Sequence, residues 1–340
     1  MIYNRPLSDF HKKNTNDMFP RLMPFLLGRN ALNYLIKSLD ISRVLLPNFI
    51  CPIVREIFEN NQVHIYTYDC FDCNFNIDEE EILKQFPKNL DGLLFFWHDY
   101  LSIIGEIPEK IISFIKEKKI QTITDATHSL PYEKYNTNYV IYGYRKILTS
   151  PFGAFLKADN LEILTREPER PPNLSVSIIQ VIFNFKIKIL RFLKNKKYAP
   201  NSLKKFFSLI DKSVSFDSKP TYFDREFSFI YISKRLEHID YELIAKKRRD
   251  NFNFYLKNFQ VAYLKKLKKG CPYGFPLKVD DNQMTRTKLW NKGIHSFILW
   301  KDCLSSSKFS DDLTKKIIIL PVNHDLYQDD LKEIIKVVNA

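Results

Sequence analysis

Glycine is scarce in this chain, with eight residues in 340, at positions 28, 92, 105, 143, 153, 270, 274 and 293. None fall in G-x-G-x-x-G spacing and no G-x-x-x-x-G-K-[ST] occurs. The glycine-rich phosphate loops of dinucleotide-binding enzymes and P-loop nucleotidases are therefore excluded. H-E-x-x-H and G-x-S-x-G are also missing, which removes the zinc peptidase and α/β-hydrolase readings. Cysteine is sparse: five residues, an odd number without regular spacing, which suits a reducing compartment. Cys70 and Cys73 form one C-x-x-C, but no second pair or nearby histidine completes a zinc site, so no metal is expected. No apolar run approaches the ~20 residues that span a bilayer. The opening segment, Met1 to Pro6, lacks the apolar core of a signal peptide. The expectation is a soluble, cytoplasmic protein.

Acidic residues are in the minority, 39 against 52 basic ones, for a net charge of +13. A field of that sign favours anionic partners: nucleic acid, an anionic membrane face or a phosphorylated small molecule. The abundance of Lys, Asn, Ile, Phe and Tyr also fits an AT-rich coding sequence, so the charge alone does not choose among them. What the chain has in quantity is apolar and aromatic residues, 45% and 14%. Disordered and low-complexity classes are thereby excluded, and 340 residues bury a sizeable core without disulfides.

From Gly28 to Leu156 two periods alternate. Ala31, Leu32, Leu35 and Leu39 have helical spacing, Val44–Leu46 reads as a strand, and Pro52 opens a helix through Phe58. Val63–Tyr68 is a strand, Asp78–Phe86 a helix, and Leu93–Trp97 a continuous apolar run, as in a strand covered on both faces. A helix from Pro108 and a strand Ile120–Thr124 follow, then two short strands, Val140–Tyr142 and Phe155–Leu156. This alternation predicts an α/β fold, a mostly parallel, mixed sheet sandwiched by helices. From Pro171 to Ile210 there are no acidic residues, while Lys186, Lys188, Arg191, Lys194, Lys196, Lys197, Lys204 and Lys205 interleave with apolar ones. The segment reads as an amphipathic helix packed on the sheet, with a weak anionic-membrane contact through 186–205 as the alternative. A charged helix Tyr241–Tyr255, a strand Lys316–Pro321 and a helix Asp329–Val338 predict a smaller α+β C-terminal domain. The expected division is 1–225 and 226–340.

In open parallel sheets, ligands bind beyond the carboxyl ends of the strands. Asp125 ends one strand there and Lys146 follows the next, so a carboxylate and an amine share one edge. Pyridoxal phosphate (PLP) needs that combination: the amine forms a Schiff base and the carboxylate keeps the pyridine nitrogen protonated. The helix opening at Gly28, Arg29 and Asn30 offers N–H groups and a positive dipole end for a phosphate. On spacing alone, a surface lysine and a helix-capping aspartate are the better account of the pair.

The segments Gly28-Arg29-Asn30-Ala31-Leu32, Leu46-Pro47-Asn48-Phe49-Ile50-Cys51-Pro52, Thr124-Asp125-Ala126-Thr127-His128 and Tyr144-Arg145-Lys146 with Pro151-Phe152-Gly153-Ala154 resemble, in order, motifs of one family. That family is the PLP-dependent aminotransferases of aspartate aminotransferase fold type, in its DegT/DnrJ/StrS group, which aminates nucleotide-linked keto-sugars. Gly274-Phe275-Pro276, Trp300 and Leu320-Pro321-Val322-Asn323 extend the resemblance to the C-terminal part. It implies Lys146 as the Schiff-base lysine, Asp125 on the pyridine nitrogen and His128 flanking the cofactor. It implies a phosphate cradle of Gly28, Arg29 and Asn30, an amino donor such as glutamate, and a homodimer acting in surface-glycan biosynthesis. No nucleic acid partner is expected. Trp97, His98, Tyr144 and Arg145 are candidate substrate contacts.

The departures are specific. Gly143 stands where the family has a phosphate-binding serine, a charge-assisted hydrogen bond of about 1.5–3 kcal/mol; Arg29 is the candidate replacement. Cys51 stands where relatives stack an aromatic ring on the cofactor. The N-x-R-M segment lent by a neighbouring subunit is not recognisable around Arg225. Three readings stay beside the sugar aminotransferase: a PLP enzyme of the same fold acting on a non-sugar phosphorylated ketone, a catalytically degenerate relative serving as a binding or scaffold module, and a membrane- or nucleic-acid-associated protein driven by the 186–205 basic stretch.

Overall fold

The computed structural model describes residues 22–25, 27–72, 74–130, 134–148, 153–159, 239–300 and 314–340. The basic stretch 186–205, the 225/226 boundary, Arg225, Cys73 and Pro151-Phe152 lie outside the described residues.

The main sheet comprises β1 (Leu22–Phe25), β2 (Arg43–Pro47), β3 (His64–Tyr68), β4 (Leu93–His98), β5 (Gln121–Ala126), β6 (Tyr139–Tyr142) and β7 (Ala154–Ala158). Their order across the sheet is β1-β7-β6-β5-β4-β2-β3. The pairs β2–β3, β2–β4, β4–β5 and β5–β6 are parallel, and β7 runs antiparallel to both β6 and β1. The helices are α1 (Gly28–Ser38), α2 (Pro52–Asn60), α3 (Glu79–Lys84) and α4 (Glu109–Glu117).

The two-residue period of a strand decides what faces what. All six residues of β4 are buried, as its unbroken apolar run requires. Leu94 and Phe96 enter the core under α1 and α2 with Ile123 and Ile141. Leu93, Phe95 and Trp97 enter the opposite core under α3 and α4, with Ile111, Ile112 and Ile115. Each such buried aromatic contributes about 1.5–3 kcal/mol of transfer free energy. By the same period His98, Asp125 and Gly143 continue the α1 face just past the last apolar layer. The carboxyl ends of three adjacent strands therefore point polar or small residues at the start of α1.

The second sheet pairs β8 (Gly274–Lys278) with β9 (Ile317–Pro321), antiparallel. It packs with α5 (Tyr241–Phe259), α6 (Asn282–Asn291) and α7 (Gln328–Asn339) around Phe252, Phe275, Ile318, Leu320, Leu331 and Ile334. One buried cation ties this unit to the first. Arg248, on α5, is fully buried and donates to the carbonyls of Pro272 (3.1 Å) and Ile147 (3.1 Å) and to Asn323 Oδ1 (3.3 Å). Ile147 directly follows Lys146, so α5 grips the turn that carries the amine. Among the described residues no helix is long and apolar enough to cross a membrane.

Candidate functional site

A cleft of about 100 Å3, open to solvent, lies where the sheet edge meets the N-terminus of α1. Three basic side chains, Arg29, Arg145 and Lys146, and one carboxylate, Asp125, line it. An anion is the ligand that such a balance accommodates.

Asp125 sits opposite His98 in the β4–β5 register. His98 Nδ1 is 3.0 Å from Asp125 Oδ2, and the Thr127 N–H donates to Asp125 Oδ1 at 2.9 Å. Burial by itself pushes the carboxyl up. His98, the Lys146 ammonium and the Thr127 side chain outweigh it and hold the carboxyl at about 2, against an ordinary 3.8. Asp125 is thus a buried anion at neutral pH. His98 Nε2 has no hydrogen-bond partner among the described residues, although its ring lies in the cleft wall.

Lys146 closes the short helical turn Tyr144–Lys146 after β6 and donates from Nζ to Thr127 Oγ1 at 3.3 Å. That turn follows Gly143, whose missing side chain has a packing cause. A Cβ there would meet the Thr127 carbonyl oxygen at 2.6 Å and its Cα at 2.9 Å. Gly28 faces the same residue: its Cβ would meet Thr127 Cγ2 at 2.7 Å. Thr127 therefore occupies the room between the α1 start and the β6 end, and leaves a serine no place at 143. Gly153 is required on two counts. Its φ is +135°, and a Cβ would overlap the Tyr144 ring.

At the other wall, no side chain caps α1, and its first turn holds no acidic residue. Gly28 and Arg29 line the cleft. Asn30 does not, and its N–H donates to the Leu27 carbonyl at 3.0 Å. Cys51 precedes the first residue of α2 and lines the cleft; burial raises its thiol pKa, the Lys146 charge opposing. Trp300, from the C-terminal unit, completes the wall, its ring centroid 5.2 Å from that of His98 and 4.8 Å from that of Phe49.

His128 is buried behind the cleft. Its ring stacks on Tyr273, 4.8 Å between centroids at 12°, and meets His98 edge-on at 5.0 Å. Its Nδ1 accepts the Leu101 N–H at 3.1 Å. Burial, with the Lys146 charge adding to it, pushes the imidazole well below its usual range, so His128 is neutral.

Of the candidates named from the sequence, Asp125, Lys146, Gly28, Arg29, Cys51, Gly143, His98 and Arg145 meet at one cleft. Trp97 does not: strand alternation turns it into the opposite core, where its Nε1 donates to the Gly105 carbonyl at 2.9 Å. Tyr144 is buried against Phe155 and Gly153 instead of facing the cleft. Sequence reasoning assigned no role to Thr127, whose place between Gly28 and Gly143 is made only by the fold. It also took Trp300 as a family marker without assigning it to the wall. Among the described residues no group of His, Cys, Asp or Glu is placed to hold a metal ion.

Several solved structures share this architecture. The chain is 14% identical to the sugar aminotransferase CalS13 from Micromonospora echinospora, over 94% of this chain and 87% of that one, with a TM-score of 0.64. It is 12% identical to DesV from S. venezuelae, over 96% and 84% of the two chains, with a TM-score of 0.63. Against Helicobacter pylori PseC, an aminotransferase involved in the biosynthesis of pseudoaminic acid, the identity is 12% over 94% and 85%, and the TM-score 0.62. The chain has the fold of these proteins. No family model and no curated protein sequence matches it.

Proposed function

We propose that the chain is a PLP-dependent aminotransferase of the DegT/DnrJ/StrS type. In this reading it transfers an amino group, with glutamate as donor, to a nucleotide-linked keto-sugar in surface-glycan biosynthesis. It works as a cytoplasmic homodimer with a large domain of residues 1–225 and a small one of 226–340. The observation that carries the reading is the convergence of Asp125 and Lys146 on one cationic cleft, with Asp125 kept ionised although buried.

The residues present fit the cofactor. Asp125, held at about 2, is the anion that keeps a proton on a pyridine nitrogen. The uncapped start of α1, with Arg29 and Arg145, suits a phosphate dianion. When bound, PLP supplies an aldehyde that takes up an amine and a protonated ring that accepts the electron pair of the substrate carbon. Lys146 Nζ is the base that takes the proton from that carbon and returns it. Thr127 Oγ1, already its hydrogen-bond partner, orients the amine. Neutral His128, behind the cleft, adds no charge to it. Trp300 and Phe49 exclude water from the side facing the C-terminal unit.

The test is the visible absorption spectrum of purified protein titrated with PLP, then with glutamate. A new band on PLP addition that glutamate bleaches, and that Lys146→Ala abolishes, is the expected result. No band at saturating PLP would overturn the reading and leave a non-enzymatic binding module on the same fold.

A further inference from the structure

Asp99, just beyond β4, is fully buried and takes no part in the chemistry above. Its carboxylate ties the loop that follows it to the segment after β5. Its Oδ1 accepts the N–H groups of Ile104 (3.1 Å) and Gly105 (2.8 Å). Its Oδ2 accepts the hydroxyls of Ser129 (2.8 Å) and Tyr135 (2.6 Å). Four donors satisfy a buried carboxylate fully, and such a network tolerates little rearrangement.

What the loop presents is a strained pair. Leu101 and Ser102 both have left-handed backbones, with φ of +56° and +57°, a conformation that strains a non-glycine residue. Such strain persists only where the surroundings over-determine it. Here it turns the Leu101 N–H onto His128 Nδ1. The Leu101 carbonyl is held as well, accepting the N–H of Tyr273 at 2.8 Å, and the Tyr273 ring stacks on His128. Ser129, next to His128, anchors the other end of the same network.

An imidazole nitrogen that accepts a hydrogen bond carries no proton, so a neutral ring must carry its proton on the other one. We infer that Asp99 and the loop it clamps are a tautomer lock: the Leu101 N–H keeps the proton of His128 on Nε2, and His128 is thereby a fixed neutral donor beside Lys146. Asp99 and Leu101 are positioning residues acting through His128. The use of that donor toward a cofactor oxygen rests on the proposed function; the lock itself does not.

The test is 15N NMR of the histidine imidazoles in the cofactor-free protein at neutral pH, with His128→Gln for assignment. Wild-type protein is expected to show His128 as a single neutral Nε2–H tautomer. Leu101→Gly keeps the N–H, relieves the left-handed strain and is expected to leave that tautomer in place. Asp99→Asn is expected to give mixed tautomers and about fivefold weaker PLP binding by absorbance. Should that variant fail to fold by circular dichroism, Tyr135→Phe removes one of the four bonds and is expected to give the same change in smaller degree. A wild-type His128 that is Nδ1-protonated or cationic overturns the lock, as does an unchanged tautomer in folded Asp99→Asn. The expected tautomers in a protein that never develops a PLP band would uphold the lock and overturn the proposed function.

Discussion

Replacing Asp125 by asparagine tests the electrostatics of the cleft without needing a ligand. The substitution keeps the shape and the carbonyl oxygen that accepts the Thr127 N–H, and removes the charge. The carboxyl is held at about 2 in the folded chain against 3.8 ordinarily. That difference corresponds to about 2 kcal/mol of folding stability at neutral pH. The folded pKa is depressed, so this stability is present above the unfolded value and is lost as pH falls through the folded one. By about pH 3 roughly 1 kcal/mol of it is gone, while at about pH 5 nearly all remains. The assay is urea unfolding of both proteins at these two pH values. Other carboxylates titrate in both proteins, so the quantity that matters is the difference between the two pH dependences. Wild type is expected to lose about 1 kcal/mol more than Asp125→Asn over that interval. Equal losses would mean that Asp125 is not held ionised by its neighbours, and the reasoning about the pyridine partner would fail with it.

Three further outcomes follow from the packing. Gly143→Ser drives a Cβ against the Thr127 backbone at 2.6 Å and is expected to destabilise the apoprotein by about 1–3 kcal/mol in urea unfolding; an unchanged midpoint would contradict the packing that excludes the serine. Arg248→Ala leaves three buried acceptors, at Pro272, Ile147 and Asn323, without their donor, and is expected to cost about 3 kcal/mol or more of stability. Arg248→Lys should recover little, since an ammonium lacks the planar fork that reaches all three, and full recovery would refute that account. Leu101→Gly relieves the left-handed backbone but removes a fully buried core side chain, and is expected to cost a net ~1–3 kcal/mol, read as a lower urea midpoint; a raised midpoint would contradict that packing.

Much of the sheet was legible because its strands are short apolar runs set between amphipathic helices. β4 was expected at Leu93–Trp97 and extends to His98; β5 was expected to end at Asp125 and extends through Ala126. In both cases a polar residue reads locally as a terminus, whereas pairing with the next strand carries it on: His98 with Asp125, and Asp125 with Ile141. β1 was missed because a four-residue edge strand containing Pro24 has little local signal, and proline is tolerated only at such edges. α6 was missed because only Asn282, Thr285 and Leu289 are buried along it, leaving no apolar stripe. Its cap, Asp281 accepting the Met284 N–H, was the available cue. The site was legible as far as strand ends predict it, which covers Asp125, Lys146 and His98. Arg248 falls within a segment read only as a charged helix, and Asp99 was given no role from the sequence. Both are buried, and no one-dimensional pattern distinguishes a cation that satisfies carbonyls from one that faces water.

The central claim is that one amine, that of Lys146, carries the chemistry. Borohydride reduction of the PLP-incubated protein, followed by peptide mass spectrometry, tests it most directly. The account predicts a single phosphopyridoxyl modification on the peptide containing Lys146. A modification spread over surface lysines, or seated on another residue in the cleft, would contradict it.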